Sequence, residues 1–213
     1  MSSFLAAPEI GGVAVSGIKS RPVYPGLSPD LNARRNVVVC DPAGAEAAIE
    51  LLARADDAFA RRTNIILAAD GAGEAAIQAL RQRLAPANVE VAADLAAAIR
   101  RLHAILDQAS MGLRLYAAGS EPLIGSVVQA GLDHFIDHLS IRTEHRGSLK
   151  RRVQCVHCKG MTEDVTTNPV TCAHCGLLLL VRDHYSRRLA AFQGVCINAE
   201  CPDERPEPKV EFQ

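Results

Sequence analysis

Aromatic residues are scarce in this chain: three Tyr, five Phe and no Trp among 213 residues, or 4%. Its core must therefore be drawn from Ala, Val, Leu and Ile, within a hydrophobic content of 48%. No apolar run approaches the ~20 residues of a membrane span. Met1 to Ile18 has neither a basic start nor a long apolar stretch, so it does not read as a secretory signal. These absences point to a cytoplasmic protein with no membrane partner. No Ser/His/Asp set, paired-carboxylate site or open His-rich site stands out, so no catalytic residue is assigned.

Net charge is nearly absent too, at −1, which removes any general pull toward nucleic acid. The distribution is less even. From Ile141 to Phe192 nine cations (Arg142, Arg146, Lys150, Arg151, Arg152, Lys159, Arg182, Arg187, Arg188) face four acids (Glu144, Glu163, Asp164, Asp183), a local charge of +5. A basic module on an acidic body suits docking to something negative.

The length allows one good-sized core and a small satellite domain. Residues 1–35, with Pro8, Gly11, Gly12, Pro22, Pro25, Gly26 and Pro29, read as an irregular arm. Beyond it, apolar runs at Val37–Cys40, Ile65–Ala68, Val89–Ala92 and Leu113–Tyr116 read as strands. Between them, Ala48/Leu52/Ala55/Phe59, Ile77/Leu80/Leu84 and Leu95/Ile99/Leu102/Leu106 keep helical spacing. A fourth helix is expected over Ser120–Gly131 and a fifth strand over Leu139–Arg142. Strands apolar along their length are covered on both faces, which predicts an α/β fold with an open, mostly parallel sheet over residues 36–145. Glu144–Lys150 reads as a linker, residues 150–201 as a small ribbon and 202–213 as a tail.

Such a sheet binds ligands at the C-terminal ends of its strands, and a dinucleotide needs glycines there. The first junction instead reads Cys40-Asp41-Pro42-Ala43-Gly44, with Asp41 as an N-cap and Pro42 as a first helical residue. Asp70 and Asp94 are expected to open the next two helices, and Glu121 lies in the first turn of the fourth. Carboxylates at these mouths repel a pyrophosphate. Asp70-Gly71-Ala72-Gly73 matches a Gly-rich loop only weakly, and no cofactor-binding residue is assigned.

Cys155-Val156-His157-Cys158 and Cys172-Ala173-His174-Cys175 are two C-x2-C knuckles, each with a glycine close behind that lets the backbone fold under the sulfurs. Two knuckles make a closed tetrahedral S4 site, so Cys155, Cys158, Cys172 and Cys175 are the candidate metal ligands. Zinc is favoured; iron, as in a rubredoxin-like electron carrier, is the alternative. His157 and His174 read as non-ligands. Cys196 and Cys201 have the wrong spacing for a knuckle, Cys40 reads as a core thiol, and Tyr116 as a strand residue. His134 and His138 are four apart, but Gly131 is expected to end their helix before them. Arg182 to Arg188 is either a solvated face or a docking surface. A nucleic-acid-binding ribbon through Lys150-Arg151-Arg152 is the weaker option.

Two resemblances add to this reading. Leu115-Tyr116-Ala117-Ala118-Gly119-Ser120-Glu121-Pro122-Leu123-Ile124 resembles the last pyridine-nucleotide segment of ferredoxin-reductase-type flavoproteins. Ala118 replaces their cysteine and Ser120 their first proline, which implies a degenerate nucleotide domain. Together with Arg151–Lys159, Cys172–Gly176 and the run Arg182–Arg188 followed by Gly194-Val195, the chain resembles the DmmA-like subunit family of dimethylamine monooxygenase. That resemblance implies an accessory subunit of an NADPH-dependent oxygenase that demethylates dimethylamine. Haem, flavin and iron–sulfur cofactors would then sit on partners, a haem-binding oxygenase subunit and a flavin/iron–sulfur reductase subunit. Arg151, Arg152, His184, Arg187 and Arg188 are the candidate partner-binding residues.

Overall fold

The structure, a computed structural model, describes residues 20–69, 73–85 and 88–213. The arm before Ser20 and the Asp70-Gly71-Ala72 stretch expected to open the second helix lie outside the described residues. Five strands, β1 (Arg35–Cys40), β2 (Thr63–Ala68), β3 (Val89–Ala92), β4 (Leu113–Gly119) and β5 (Ile141–His145), form one sheet in the order β3-β2-β1-β4-β5. All four pairings are parallel, as predicted. Val37, Val38, Val39 and Cys40 have no solvent exposure because alternate side chains serve opposite faces. Val38 and Cys40 pack with α1 (Ala45–Ala53), α2 (Asp57–Arg61) and α3 (Glu74–Arg81). Val37 and Val39 pack with α4 (Leu95–Leu106) and α5 (Glu121–Asp133). Strand order reverses between β1 and β4, which puts the ligand crevice of this architecture at Asp41 and Ser120.

Several boundaries differ from expectation. The stripe from Ala48 to Phe59 is not one helix. Asp56 accepts a hydrogen bond from the Phe59 amide at 2.7 Å and caps a new helix, α2, that re-aims Phe59 into the core. Asp94 caps α4 as expected, accepting from the Ala97 amide at 2.6 Å. Asp41 is not an N-cap: α1 begins three residues later than Pro42, behind Gly44. Residues 138–140 form a 3-10 turn, so β5 starts only at Ile141.

The second sheet comprises β6 (Arg151–Cys155), β7 (Met161–Val165), β9 (Val170–Thr171), β10 (Leu178–Ser186) and β11 (Ala191–Cys196), in the order β7-β6-β11-β10-β9. The expected 202–213 tail is not free. Its β12 (Lys209–Val210) pairs antiparallel with β8 (Thr167–Asn168), and Phe212 is buried in the ribbon core. Phe212 and Phe192 sandwich the Arg151 guanidinium, each ring centroid 4.0 Å from it. The described part of the arm is irregular yet packed: Leu27 is buried, and its amide donates to Glu144 at 2.8 Å.

Helix α5 joins the two halves. Its Ser126 Oγ accepts from Arg152 at 3.1 Å, and Gln129 donates to the Arg188 carbonyl at 2.9 Å. At Gly125 any Cβ would run into the Tyr185 hydroxyl and Ala190, so the ribbon seats where the helix has no side chain.

Phe212→Ala removes a buried ring and one wall of the Arg151 sandwich. It should cost about 3 kcal/mol or more, measured as a lowered urea midpoint; an unshifted midpoint would return residues 202–213 to the status of a tail.

Candidate metal centre and the cleft beside it

The two knuckles fold by the same hydrogen bonds. The Cys155 amide donates to the Gly160 carbonyl and the Lys159 amide to the Cys155 carbonyl, at 3.0 and 2.9 Å. The Cys172 amide donates to Leu177 and the Gly176 amide to Cys172, at 2.9 and 3.1 Å. The tight turn needs a left-handed residue directly after each second cysteine. Gly176 supplies it at φ 74°, but in the first knuckle Lys159, not Gly160, takes that role at φ 65°. Gly160 serves differently: a Cβ there would collide with the His174 ring.

These turns bring the Cys155, Cys158, Cys172 and Cys175 sulfurs within 4.8 Å of one another. Cys155 lies 3.8 Å from Cys175 and Cys158 3.7 Å from Cys172, sulfur to sulfur. A tetrahedron with metal–sulfur bonds of about 2.3 Å has edges of about 3.8 Å. The donor set therefore fits a four-coordinate thiophilic ion. Burial pushes the Cys172 thiol up, but the Cys175 and His174 amides and neighbouring thiols outweigh it and bring it down to about 6. His174 points away from the sulfurs, its Nε2 2.8 Å from the Met161 carbonyl, and His157 is exposed. Cys196 and Cys201 lie outside the cluster, and Cys40 is fully buried in the sheet. His138 is exposed, and His134 instead meets His103 at 2.9 Å, a pairing across α4 and α5 that linear spacing does not reveal.

At the sheet's crevice the structure assigns Asp41 a role the sequence reading missed. Its Oδ1 accepts from the Gly44 amide at 2.9 Å and its Oδ2 from the Ser120 amide at 2.8 Å. Its carboxylate thus occupies the anion position between the starts of α1 and α5, where a dinucleotide phosphate would sit. A Cβ at residue 119 would overlap it, so Gly119 is the complement of Asp41.

Glu121 reads from sequence as a first-turn acid at the crevice mouth. It is 4% exposed and lies at the wall of a cleft between the sheet and the ribbon, beside Tyr24. Burial pushes its carboxyl up to about 7, against the pull of nearby Tyr185, Arg152 and Arg151. Burial, and then the Glu121 charge, push the Tyr24 and Tyr185 phenols up in turn. The Tyr185 and Tyr24 hydroxyls face its oxygens and help hold the carboxyl down.

Of the candidate partner-binding residues, Arg151 and Arg152 do not present a free basic face. Arg151 bonds Asp183 at 2.7 Å, and Arg152 bonds Glu163 at 2.7 Å, both half-buried. His184, Arg187 and Arg188 are exposed on and beside the β10–β11 turn.

Residues 16–141 match the family described as dimethylamine monooxygenase subunit DmmA-like, N-terminal domain, and residues 152–195 match its C-terminal domain. The chain belongs to the DmmA-like family. A curated relative, the heme-dependent oxidative N-demethylase delta subunit of Ectopseudomonas mendocina (strain ymp), is 36% identical over 111 residues. The match covers 50% of the DmmA-like chain and 61% of that relative's length. Among solved structures, the ferredoxin reductase in carbazole 1,9a-dioxygenase aligns with 53% of this chain and 32% of its own, at 15% identity and a TM-score of 0.38. An intact type IV self-sufficient cytochrome P450 monooxygenase aligns with 82% of this chain and 22% of its own, at 16% identity and a TM-score of 0.41.

In this DmmA-like chain, Asp41→Ala strands the Ser120 amide and leaves the Gly44 amide only its bond to the residue-41 carbonyl at 3.0 Å. A loss of about 1–3 kcal/mol is expected in urea unfolding, with Asp41→Asn losing less; equal midpoints would mean the two amides do not depend on the carboxylate.

Glu121 holds its proton more tightly folded than unfolded. Its contribution is fully present below the ordinary value of 4.5 and is lost as pH rises through about 7. Glu121→Gln should match the parent near pH 5 and exceed it by about 2–3 kcal/mol at pH 8. The difference between the two proteins removes the thiol contribution they share, and a pH-independent difference would show that Glu121 is not buried as an acid.

Proposed function

We propose that this chain is a non-catalytic subunit of a multi-subunit, NADPH-dependent oxidative N-demethylase acting on dimethylamine. In this reading haem sits on an oxygenase partner, and flavin and an iron–sulfur cluster on a reductase partner. Zinc holds the ribbon as a docking module. Family membership supports an association with a monooxygenase, and the delta-subunit relative carries the heme-dependent N-demethylase name. The observation that carries the accessory role is Asp41. A sheet built like a nucleotide domain has its own carboxylate in the phosphate position, so it serves as scaffold rather than as an NADPH site.

A four-sulfur centre with every position supplied by protein offers no open coordination site, which suits structure rather than catalysis. Zinc is the metal favoured in this reading, with iron in the same four-sulfur site as the alternative. The docking face would be the exposed β10–β11 turn, with Arg182, His184, Arg187 and Arg188 free to meet an acidic partner surface.

Gentle purification of the tagged chain from its source should bring down a haem protein and a flavoprotein, with one zinc per chain. Arg187→Glu with Arg188→Glu should weaken that capture by about tenfold at low salt. A lone monomer, or visible iron absorption from the purified chain, would overturn the reading.

A further inference from the structure

Helix α5 ends in a Schellman turn. The Phe135 amide donates to the Leu132 carbonyl at 3.0 Å, and the Ile136 amide to the Gly131 carbonyl at 2.9 Å. The pivot of such a turn is left-handed and is usually glycine, because a Cβ is strained there. Here Phe135 takes it at φ 59°, and its ring is 97% exposed. The half-buried Ile136 next to it already supplies the turn's apolar contact with the sheet core. Phe135 therefore carries both backbone strain and apolar surface in water, and no described residue covers the ring.

Scattered exposed apolar residues need no account, but these gather. Leu132 and Leu139 are exposed on either side of Phe135. Met111 is exposed just before β4, at the same N-terminal edge of the sheet as Leu139 just before β5. The rim of this patch is acidic. Between Leu102 and Ile141 the only Lys or Arg is Arg114, which Asp30 answers at 2.6 Å. Arg100 and Arg188 lie beside Gln129, further along α5 toward the ribbon. On the turn itself Asp107 and Asp137 face the His134 and His138 imidazoles, at 3.7 and 3.3 Å, and Asp133 is exposed. A second copy brought onto Phe135 by a two-fold axis would set the same three acids against one another. A socket with apolar walls and a rim of lysine or arginine meets the ring and the acids together.

We propose that the Phe135 patch is a docking face for a partner protein that presents such a basic-rimmed apolar socket. This extends the accessory reading and rests on it only in requiring a partner. The hairpin around Arg187 calls for an acidic surface and the Phe135 turn for a basic one, so the two contacts are chemically distinct.

The test puts the photo-crosslinker p-benzoylphenylalanine in place of Phe135 in the full-length chain, within its source cells. Irradiation should give one adduct to a second protein, through a peptide that carries Lys or Arg among apolar residues. The same reagent in place of the exposed Val91, on the opposite edge strand β3, should not give that adduct. Phe135→Gly should raise the urea midpoint of the free chain, because glycine relieves the left-handed pivot. The same variant, like Phe135→Asp, should lower capture of that partner by about tenfold or more with metal content unchanged. An adduct to a second copy or to residues 1–19 of the same chain would overturn the proposal. So would no adduct, a cross-linked peptide without Lys or Arg, a lowered midpoint in Phe135→Gly, or capture unchanged in both variants. An adduct to a protein bearing neither haem nor flavin would overturn the assembly reading alone. Haem protein and flavoprotein captured without any adduct at residue 135 would overturn this face alone.

Discussion

Four sulfurs at van der Waals separation or less cannot all ionise without a cation between them, and the C-terminal half of this molecule is organised around that constraint. The ribbon core beyond the thiols is small: Val153, Val165, Leu179, Val181, Tyr185, Phe192 and Phe212. Apolar burial on this scale is marginal for an independent unit. An ion bound there would turn electrostatic repulsion into a staple, and its binding free energy would become folding free energy. The sheet pairing brings the two knuckles to that point. β6 ends at Cys155 and runs parallel to β11, while β10 leaves the second knuckle two residues after Gly176 and brings its own partner, β11, to the same sulfurs.

The N-terminal half solves a related charge problem without an ion. Two helix starts meet where the strand order reverses, and their amides favour an anion between them. Dinucleotide-binding sheets leave that position to the cofactor; here Asp41 fills it from within the chain. The substitution fixes the relative placement of α1 and α5. Since α5 also carries Gly125, Ser126 and Gln129 against the ribbon, the carboxylate indirectly sets the angle at which the two halves meet. A loss at Asp41 would therefore be felt at the ribbon seat, not only at the crevice.

The sheet was legible because β1, β2 and β4 are apolar and buried along most of their length, the pattern of strands covered on both faces. The knuckles were legible because their spacing is chemistry in one dimension. What failed was whatever depends on three-dimensional neighbours. Asp56 looks like one more polar residue in a helical stripe until its side chain caps Phe59. Arg151 and Arg152 look like a basic face in a charge count, and become interior struts once Asp183 and Glu163 arrive from other strands. Phe212 sits beyond a Pro- and Glu-rich stretch, Pro202 to Pro208, that reads as part of a tail, and nothing local announces its burial. Asp41 reads from sequence as a helix N-cap, whereas its side chain bonds the Gly44 and Ser120 amides across two elements, a link that linear spacing does not show.

Removing Arg151 and Arg152 from the surface changes where a partner could bind. A basic segment of nine cations supports docking only through those that remain in water. The internal pairs consume Arg146 and Arg151 as well as Arg152, each matched by an acid within 3 Å. Of the six cations left without an acidic partner, three gather on one short hairpin, at Arg182, Arg187 and Arg188 with His184 between. That hairpin is also tied to α5 through Gln129 and the Arg188 carbonyl, so its approach is held by the sheet rather than left loose. A rigidly held cluster of three arginines suits a partner that must register precisely against both halves, because charge met at a fixed place costs less ordering on association than charge on a loose tail.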